Sequence, residues 1–283
     1  MKVIHSLRKN LFKKYWSYLL LSMVSGGVFA TAPVHSSMSE HSASIMHRVI
    51  NAGVLNVCTT GDYQPYSHLK SDGHYEGIDI TMAESLAKSL GVKTQYVQST
   101  WKSIIPDVVA GKCDIAVGGI SVTLPRQQKV FFTNRIDVDG KIPLVRCADT
   151  KKYQTIEAIN KPNIRVIEPA GGTNEAFARK FLPKTQLILS DDNLGIFQQL
   201  VDKKADVMIT EASEALYQKK HYPALCAVNP TQPMQYGEKA YVLPLGDVIW
   251  KAYVDQWLHL SKETGEYDTI LKTWLGSSTQ ESK

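Results

Sequence analysis

Three short segments of the sequence combine glycines with hydroxyl or charged side chains in a way that suits anion binding. They are residues 59–66 (TTGDYQPY), residues 118–123 (GGISVT) with Arg126 just beyond, and residues 171–175 (GGTNE). Glycine lets backbone N–H groups approach a ligand closely, and a helix that begins at such a turn favours negative charge. The guanidinium of Arg126 can hold a carboxylate through two parallel hydrogen bonds. The sequence therefore predicts a site for a small molecule that carries a carboxylate.

Patterns for nucleotide or metal binding do not match this sequence. Neither Gly-Gly pair fits GxGxxG or GxxxxGK[ST], so the sequence gives no support for a nucleotide phosphate site. His221 and His259 have no partner at metal-ligand spacing, and the four cysteines do not form a zinc pattern. We therefore expect no metal and no cofactor.

The segments that must position these turns alternate between short apolar runs and helical periodicity. The predicted strands and helices of the first half are residues 54–59, 79–90, 93–97, 101–110 and 114–117. The second half repeats this alternation from residue 164 to residue 219 and ends in two helical segments. Such alternation indicates βαβ units, an α/β fold and parallel sheets. Two units of this size predict two lobes, with the ligand crevice at the carboxyl ends of their strands.

The N-terminus has the pattern of a signal peptide over residues 1–30. A basic segment precedes a short apolar run, which is interrupted by Ser and Gly and is shorter than the roughly 18 residues of a membrane span. Residues 31–44 are Ser-rich and are expected to form a disordered leader. The net charge is +5, and residues 1–32 carry five basic and no acidic side chains, so the remainder is near 5 − 5 = 0. The basic charge is therefore no evidence for nucleic-acid binding, or for membrane binding after cleavage.

The four cysteines fall into two groups, and an exported protein can form disulfides. Cys58 and Cys113 lie in apolar runs, where a free cysteine packs as a small hydrophobic residue. Cys147 and Cys226 both lie near the ends of runs in the second half, and we predict a structural bridge between them.

The blocks TGDY-x-PY at residues 60–66, GID at 77–79, GIS-x-T-x-x-R at 119–126 and GT at 172–173 resemble the family 3 extracellular solute-binding proteins. The resemblance covers about residues 45–276. It implies a two-lobed periplasmic-binding-protein fold of type II, with two crossing strands near residues 141–146 and 233–240. Lobe one would comprise residues 45–140 and 236–283, and lobe two residues 141–235.

The same resemblance assigns ligand contacts to individual residues. The aromatic side chains that would sandwich the ligand are Tyr63 and Trp101. The residues that would hold its α-carboxylate are Gly119, Ser121 and Arg126 from lobe one, with Thr173 and Asn174 from lobe two. Glu211 occupies the position at which the family usually has an Asp that meets the ligand amine. A receptor for amino acids that serves an ABC importer is therefore one functional reading.

Further segments, above all residues 169–179 and 253–259, resemble one branch of that family, the periplasmic cyclohexadienyl dehydratases. Cys147 and Cys226 also lie at positions that this branch shares. The resemblance implies a carbon–oxygen lyase that acts on the carboxylate substrates prephenate, arogenate or both. It implies Glu175 as the general acid, and it is compatible with a homo-oligomer. Burial and a dianionic substrate would raise the pKa of Glu175 by more than the dipole of its helix lowers it.

Overall fold

The structure is a computed structural model, and it describes residues 44–275. The predicted signal peptide and residues 31–43 of the predicted leader lie outside the described residues. Ser44, the last residue of that leader, caps the first helix: its side chain accepts a hydrogen bond from the backbone N–H of Met46. Within residues 44–275, no helix is long and apolar enough to cross a bilayer.

The helices and strands alternate through most of the described chain. The helices are α1 Ile45–Ala52, α2 Ile78–Ser89, α3 Ile104–Val109, α4 Leu124–Gln127, α5 Ile156–Ile159, α6 Thr173–Phe181, α7 Ile196–Val201, α8 Ala212–His221, α9 Val248–Glu263 and α10 Glu266–Leu275. The strands are β1 Val54–Thr59, β2 Asp62–Tyr63, β3 Ser67–Leu69, β4 Tyr75–Glu76, β5 Lys93–Gln98, β6 Ile115–Ala116, β7 Val130–Phe132, β8 Asp137–Arg146, β9 Arg165–Pro169, β10 Gln186–Ser190, β11 Val207–Glu211, β12 Leu225–Ala227, β13 Gln235–Lys239 and β14 Val242–Pro244.

Lobe one is built on a five-stranded sheet in the order β5-β1-β6-β14-β7. Strand β1 runs parallel to β5 and β6, whereas the late strand β14 is antiparallel to β6 and β7. Helix α2 covers this sheet with Ile78, Met82 and Leu86, which recur every fourth residue and are fully buried. Trp250 of α9 is also fully buried, and its indole N–H donates to the carbonyl of Asp114.

Lobe two is built on the sheet β10-β9-β11-β8-β12, and β13 also pairs with β8. Strand β8 has ten residues, and β13 runs antiparallel beside its first half. These two strands are the crossing strands expected near residues 141–146 and 233–240. After β13 the chain returns to the first sheet through β14. The lobe boundaries at single residues stay a prediction.

Two disulfides lie within the described chain. The predicted bridge Cys147–Cys226 is confirmed, with a Cα–Cα distance of 4.8 Å. The expectation that Cys58 and Cys113 are free was wrong, because these two residues form the other bridge, with a Cα–Cα distance of 5.6 Å. Cys58 lies on β1 and Cys113 lies just before the neighbouring strand β6. Two apolar runs thus became adjacent strands at a separation that a disulfide spans.

Candidate functional site

Seven of the predicted site residues line one cavity between the two lobes. The residues that line it are Tyr63, Trp101, Gly119, Ser121, Pro169, Gly172, Thr173, Asn174, Asn193 and Glu211. Its volume is about 20 Å³, which is comparable to the space of a single water. A ring-sized ligand therefore needs the lobes to separate before it can enter.

Direct contacts between the lobes close this cavity. The side-chain amide of Asn193 donates to the carbonyl of Asp62 at 2.9 Å, and Ser121 Oγ lies 3.5 Å from Thr173 Oγ1. The rings of Tyr63 and Trp101 meet edge to face with centroids 5.4 Å apart. The two aromatics predicted to sandwich a ligand thus touch each other across the closed crevice.

A larger cavity of about 380 Å³ lies beside the crevice. Its lining residues are Gln64, Leu194, Phe197, Gln218, His221 and Tyr222. None of them is a carboxylate or a lysine or arginine. The charged groups that could act on a carboxylate substrate surround the smaller cavity, so we place the candidate site there.

The turn after β6 shapes the lobe-one wall through its backbone. Gly119 has φ 69°, and a Cβ at this position would lie 2.7 Å from the rings of Tyr63 and Tyr66. Its N–H donates to Asp79 Oδ2 at 2.7 Å, and so does the N–H of Gly118 at 3.0 Å. Gly119 lines the cavity as expected, but its N–H is already bonded to Asp79 in this structure.

Arg126 lies beside this wall without lining the cavity itself. Thr123 caps the short helix α4, and Arg126 folds back so that Nη1 donates to the carbonyl of Ser121 at 2.8 Å. Burial lowers the pKa of Arg126, and the carboxylate of Glu211 acts in the opposite direction. The guanidinium forms no ion pair with any residue in the described part of the chain. Its predicted role, binding the ligand carboxylate, stays a prediction.

Lys141, which was not predicted, organises the lobe-two wall. It lies on β8 directly opposite Glu211 of β11 in the antiparallel register. Its Nζ contacts Thr173 Oγ1 at 2.9 Å, Glu211 Oε1 at 2.5 Å and the side-chain oxygen of Asn174. The lysine thus connects three of the predicted site residues.

Glu211 is the carboxylate that lines the cavity. Besides Lys141, it accepts hydrogen bonds from the Tyr63 hydroxyl and, at 2.8 Å, from Ser121 Oγ of the opposite lobe. Burial raises the pKa of Glu211, but Lys141 and then Lys239 more than offset this, and its pKa lies below its ordinary value. Glu211 is therefore ionised, and its two oxygens are occupied by three donors.

Glu175, the predicted general acid, does not line the cavity. Its carboxylate accepts a hydrogen bond from the N–H of Gly171 at 2.6 Å and pairs with Arg179 Nε at 2.7 Å, one helical turn away. Burial raises its pKa, but the bond from Gly171, the bond from Arg179 and the charges of Arg179 and Lys102 lower it further. The net direction is downward, opposite to what a proton donor requires. The acid role of Glu175 stays a prediction.

Glu214, in the first turn of α8, has the opposite character. Its side chain is fully buried, one oxygen bonds to the Thr210 hydroxyl, and the other has no hydrogen-bond partner in the described part of the chain. Burial, with a smaller contribution from the charge of Glu211, raises the pKa of Glu214 to about 8 against the Thr210 bond. When Glu214 is ionised, its charge contributes to the raised pKa of Tyr63, which lines the cavity. The raised pKa favours the protonated form of this buried carboxyl at neutral pH.

Two further buried titratable groups, Lys239 and Glu168, lie close to the charged residues of the cavity wall. Lys239 of β13 is 1% exposed, with Nζ 3.1 Å from the carbonyl of Gly119, 3.5 Å from Asp139 Oδ2 and 4.9 Å from the Tyr63 ring centroid. Glu168 of β9 is fully buried, and burial raises its pKa well above the ordinary value. A lysine inside a crossing strand was the available sequence signal for Lys141 and Lys239, since a buried lysine requires an acidic partner.

No group of three His, Cys, Asp or Glu side chains in residues 44–275 is arranged to hold a metal ion. Around the crevice, Lys141 pairs with Glu211 and Lys239 with Asp139, whereas Arg126 has no ion-pair partner in the described part of the chain. The arrangement can bind an anion and exclude water when closed, and it keeps the Glu214 carboxyl buried outside the cavity lining.

Comparisons with known proteins place this chain in a family. The model for bacterial extracellular solute-binding proteins, family 3, matches residues 55–277. The cyclohexadienyl dehydratase of Pseudomonas aeruginosa is 40% identical over 262 residues, which is 93% of this chain and 96% of that protein.

Two solved structures support the same placement. One is an ancestral amino acid-binding protein described as a precursor of cyclohexadienyl dehydratase: it is 34% identical with a TM-score of 0.76, over 82% of this chain and 99% of that chain. The other is an ancestral cyclohexadienyl dehydratase that is 45% identical with a TM-score of 0.52, over 82% and 97% of the two chains. The two-lobed periplasmic-binding-protein fold expected from the sequence is confirmed. The chain belongs to the family 3 bacterial extracellular solute-binding proteins.

Proposed function

We propose that this protein is a periplasmic cyclohexadienyl dehydratase, a carbon–oxygen lyase that converts prephenate to phenylpyruvate, arogenate to phenylalanine, or both. The observation that carries the proposal is the closed crevice between the lobes, which is lined by Ser121, Thr173 and Glu211. The buried Glu214, three residues beyond Glu211, has a pKa raised to about 8. The 40% identity to a relative named cyclohexadienyl dehydratase supports the same reaction. The family supports export to the periplasm.

The proposed reaction requires few protein groups. The bond between the ring and its carboxylate breaks, and its electron pair forms a ring double bond as CO₂ leaves. The C–O bond at the 4-position breaks in concert, and the hydroxyl departs as water after it accepts one proton. Aromatisation drives the step, so the protein must hold the carboxylates, exclude water and supply the proton.

By the direction of its pKa, Glu214 suits the proton donor better than Glu175 does, although neither residue lines the cavity of the closed structure. A general acid must be protonated before the reaction, and the pKa of Glu214 is raised to about 8 whereas that of Glu175 is lowered. A dianionic substrate would raise the pKa of a neighbouring carboxyl further. Glu175, held by Gly171 and Arg179, instead fixes the turn that carries Thr173 and Asn174.

The Arg126 guanidinium and the Ser121 and Thr173 hydroxyls are the proposed anchor for the side-chain carboxylate of the substrate. Arg126 has no carboxylate partner within the described residues, so its guanidinium is available to form an ion pair with a substrate carboxylate. Tyr63 and Trp101 would enclose the ring once the lobes have opened and closed again. Pro169 and Asn193 line the same cavity.

The alternative is an amino-acid receptor of an ABC importer, which is favoured by the amino acid-binding precursor among the similar structures. The two functions differ in turnover. Purified mature protein should convert prephenate to phenylpyruvate, measured by ultraviolet absorbance, without added metal or nucleotide. Tight binding of an amino acid without turnover of either cyclohexadienyl acid would contradict the enzyme and support the receptor.

A further inference from the structure

The larger cavity beside the crevice, here called the second cavity, has room for a ligand while the lobes are closed. Its volume is about 380 Å³, whereas that of the crevice is about 20 Å³. Small-molecule sites in proteins usually have volumes of about 300–1,000 Å³. The second cavity can therefore hold a ring-sized molecule without separation of the lobes.

Both lobes contribute to the second cavity, at residues that adjoin the crevice. Gln64 of lobe one lines it and directly follows Tyr63, which lines the crevice. Leu194 of lobe two lines it and directly follows Asn193, which also lines the crevice. The side-chain amide of Asn193 donates to the carbonyl of Asp62 at 2.9 Å and joins these two walls. Separation of the lobes would therefore remove the lobe-one wall of the second cavity.

The walls of the second cavity are aromatic and uncharged over most of their area. None of its six lining residues is a carboxylate, a lysine or an arginine. The rings of Phe197 and Tyr222 lie with their centroids 5.6 Å apart, and His221 lies at the exposed end. Aromatic walls favour a flat apolar ring, and a carboxylate bound here would lose its hydration without gaining a cationic partner. The lining therefore suits an uncharged planar ring.

Gln218 of α8 supplies a polar group that the closed protein leaves unused. Its side chain is 1% exposed, and its Nε2 has no hydrogen-bond partner in the part of the chain that the structure describes. Buried amide groups are nearly always hydrogen-bonded, and an unpaired one costs free energy. Rotation about the last side-chain bond is soft, so the amide can turn towards a ligand in the cavity that it lines. The half-buried amide of Gln64 lines the same cavity.

We propose that the second cavity binds an uncharged planar ring that carries a primary amide or a lactam, and that Gln218 is its hydrogen-bond partner. Such a group presents an acceptor and a donor side by side, which matches the amide of glutamine. Because both lobes form the walls, this ligand binds the closed protein and stabilises it against opening. The proposal does not depend on whether the crevice turns over a substrate.

Glu214 offers the other way to satisfy Gln218. It lies one helical turn earlier on α8, and its Oε1 likewise has no hydrogen-bond partner within residues 44–275. A hydrogen bond between these two side chains would make Gln218 a structural residue and leave no role for a ligand. Removal of the amide would then destabilise the protein without any effect on ligand binding.

The first test measures the binding of benzamide to ¹⁵N-labelled protein by NMR titration. A fragment of this size should bind the wild-type protein with a Kd of about 1–10 mM. Gln218→Met keeps much of the side-chain length but removes the amide, and it should raise this Kd about fivefold or more. The half-buried Gln199 of α7 lines neither cavity, so Gln199→Met is the matched control and should keep the wild-type Kd. An equal Kd in wild type and Gln218→Met would overturn the role of Gln218.

The second test compares benzamide with benzoate, which has the same ring and a negative charge. At the second cavity benzoate should bind about tenfold or more weakly, because no cation is there to replace its lost hydration. Since a carboxylate also suits the crevice, the backbone signals of Leu194 and Tyr222 report the second cavity and those of Gly172 report the crevice. Equal affinities of the two probes at the second cavity would overturn the uncharged ligand class.

Thermal unfolding separates the proposal from the bond with Glu214. Gln218→Met should keep the wild-type Tm, because it removes an unpaired amide. A lowered Tm together with an unchanged Kd for benzamide would assign Gln218 to Glu214 and overturn the proposal. If Gln218→Met does not fold, Gln64→Met tests the lobe-one wall and should also raise the Kd for benzamide. Benzamide that shifts no signal of the second cavity in the wild-type protein would overturn the site itself.

Discussion

Glu175 and Glu214 are the same residue type at the same place in two helices of one lobe, yet their surroundings differ. Each lies in the first turn, of α6 and α8 respectively. Glu175 is held by the N–H of Gly171 and by Arg179. Glu214 is fully buried, and one of its oxygens has no hydrogen-bond partner in the described chain.

The difference shows that burial and charge partners, rather than helix position, decide which carboxyl keeps its proton. A helix N-terminus stabilises a carboxylate by about 0.3–1 kcal/mol, less than one pKa unit at about 1.4 kcal/mol. Full burial can raise a carboxyl pKa by about 3–5 units. Glu175 has cationic partners, whereas Glu214 has the like charge of Glu211 nearby.

The largest expected effect separates the two residues by activity. Glu214→Gln should lower kcat for prephenate by about 100- to 10,000-fold, the usual contribution of a general acid, with a small change in KM. Glu175→Gln is the matched control and should keep most of the wild-type kcat. Steady-state kinetics on both variants measure these kcat values. A large loss of kcat in Glu175→Gln with little loss in Glu214→Gln would instead identify Glu175 as the general acid.

The pH dependence of the wild-type rate should follow Glu214. Its pKa is raised to about 8 by burial, so the protonated donor is present below that pH and is lost above it. We expect log kcat for prephenate to fall on the alkaline side of about pH 8 with a slope near one. A decline that starts near the ordinary carboxyl range would contradict an acid with the surroundings of Glu214.

The two residues should also affect stability with opposite pH dependence. Because the folded-state pKa of Glu214 is raised from 4.5 to about 8, its contribution is complete below pH 4.5 and is lost as pH rises towards 8. Relative to wild type, Glu214→Gln should gain free energy of unfolding over this interval, by at most about 1.4 kcal/mol per pH unit. Urea unfolding at several pH values measures the slope, and a flat difference would contradict it.

The smallest effect belongs to Glu175. Its pKa is lowered by Gly171 and Arg179 against burial, so its contribution is present above the ordinary carboxyl pKa and is lost as pH falls through the lowered value. Since Arg179 is largely exposed, Glu175→Gln should lower the free energy of unfolding by only about 0.3–1 kcal/mol at neutral pH. In the same urea series, the difference in the free energy of unfolding between Glu175→Gln and wild type should disappear in acid. A difference that grows in acid would contradict a lowered pKa for Glu175.

Much of the framework was predictable from periodicity and turn residues. Strand β1 begins and ends at the predicted residues, 54 and 59, because an apolar run bounded by turn residues specifies a strand strongly. The helix predicted from residue 101 begins at Ile104 instead. Residues 101–103 form a turn there, which leaves Trp101 free to line the crevice.

The charges of the site were less predictable, because they depend on register and burial. Glu211 was found because it occupies the position at which the resembled family usually has an Asp, but its partner Lys141 is 70 residues away and faces it only through the pairing of β8 with β11. Glu214 is three residues beyond Glu211 and carries no motif of its own. The bridge between Cys58 and Cys113 was missed for the same reason, since strand adjacency brings the two residues together.

The most direct test of the contrast is a titration of the two carboxyl groups by NMR with ¹³C-labelled glutamate, assigned with Glu175→Gln and Glu214→Gln. The Glu214 carboxyl should titrate near pH 8, and the Glu175 carboxyl below its ordinary value of 4.5. A Glu214 that is ionised at neutral pH, together with a Glu175 that is protonated there, would contradict the account of how this site supplies its proton.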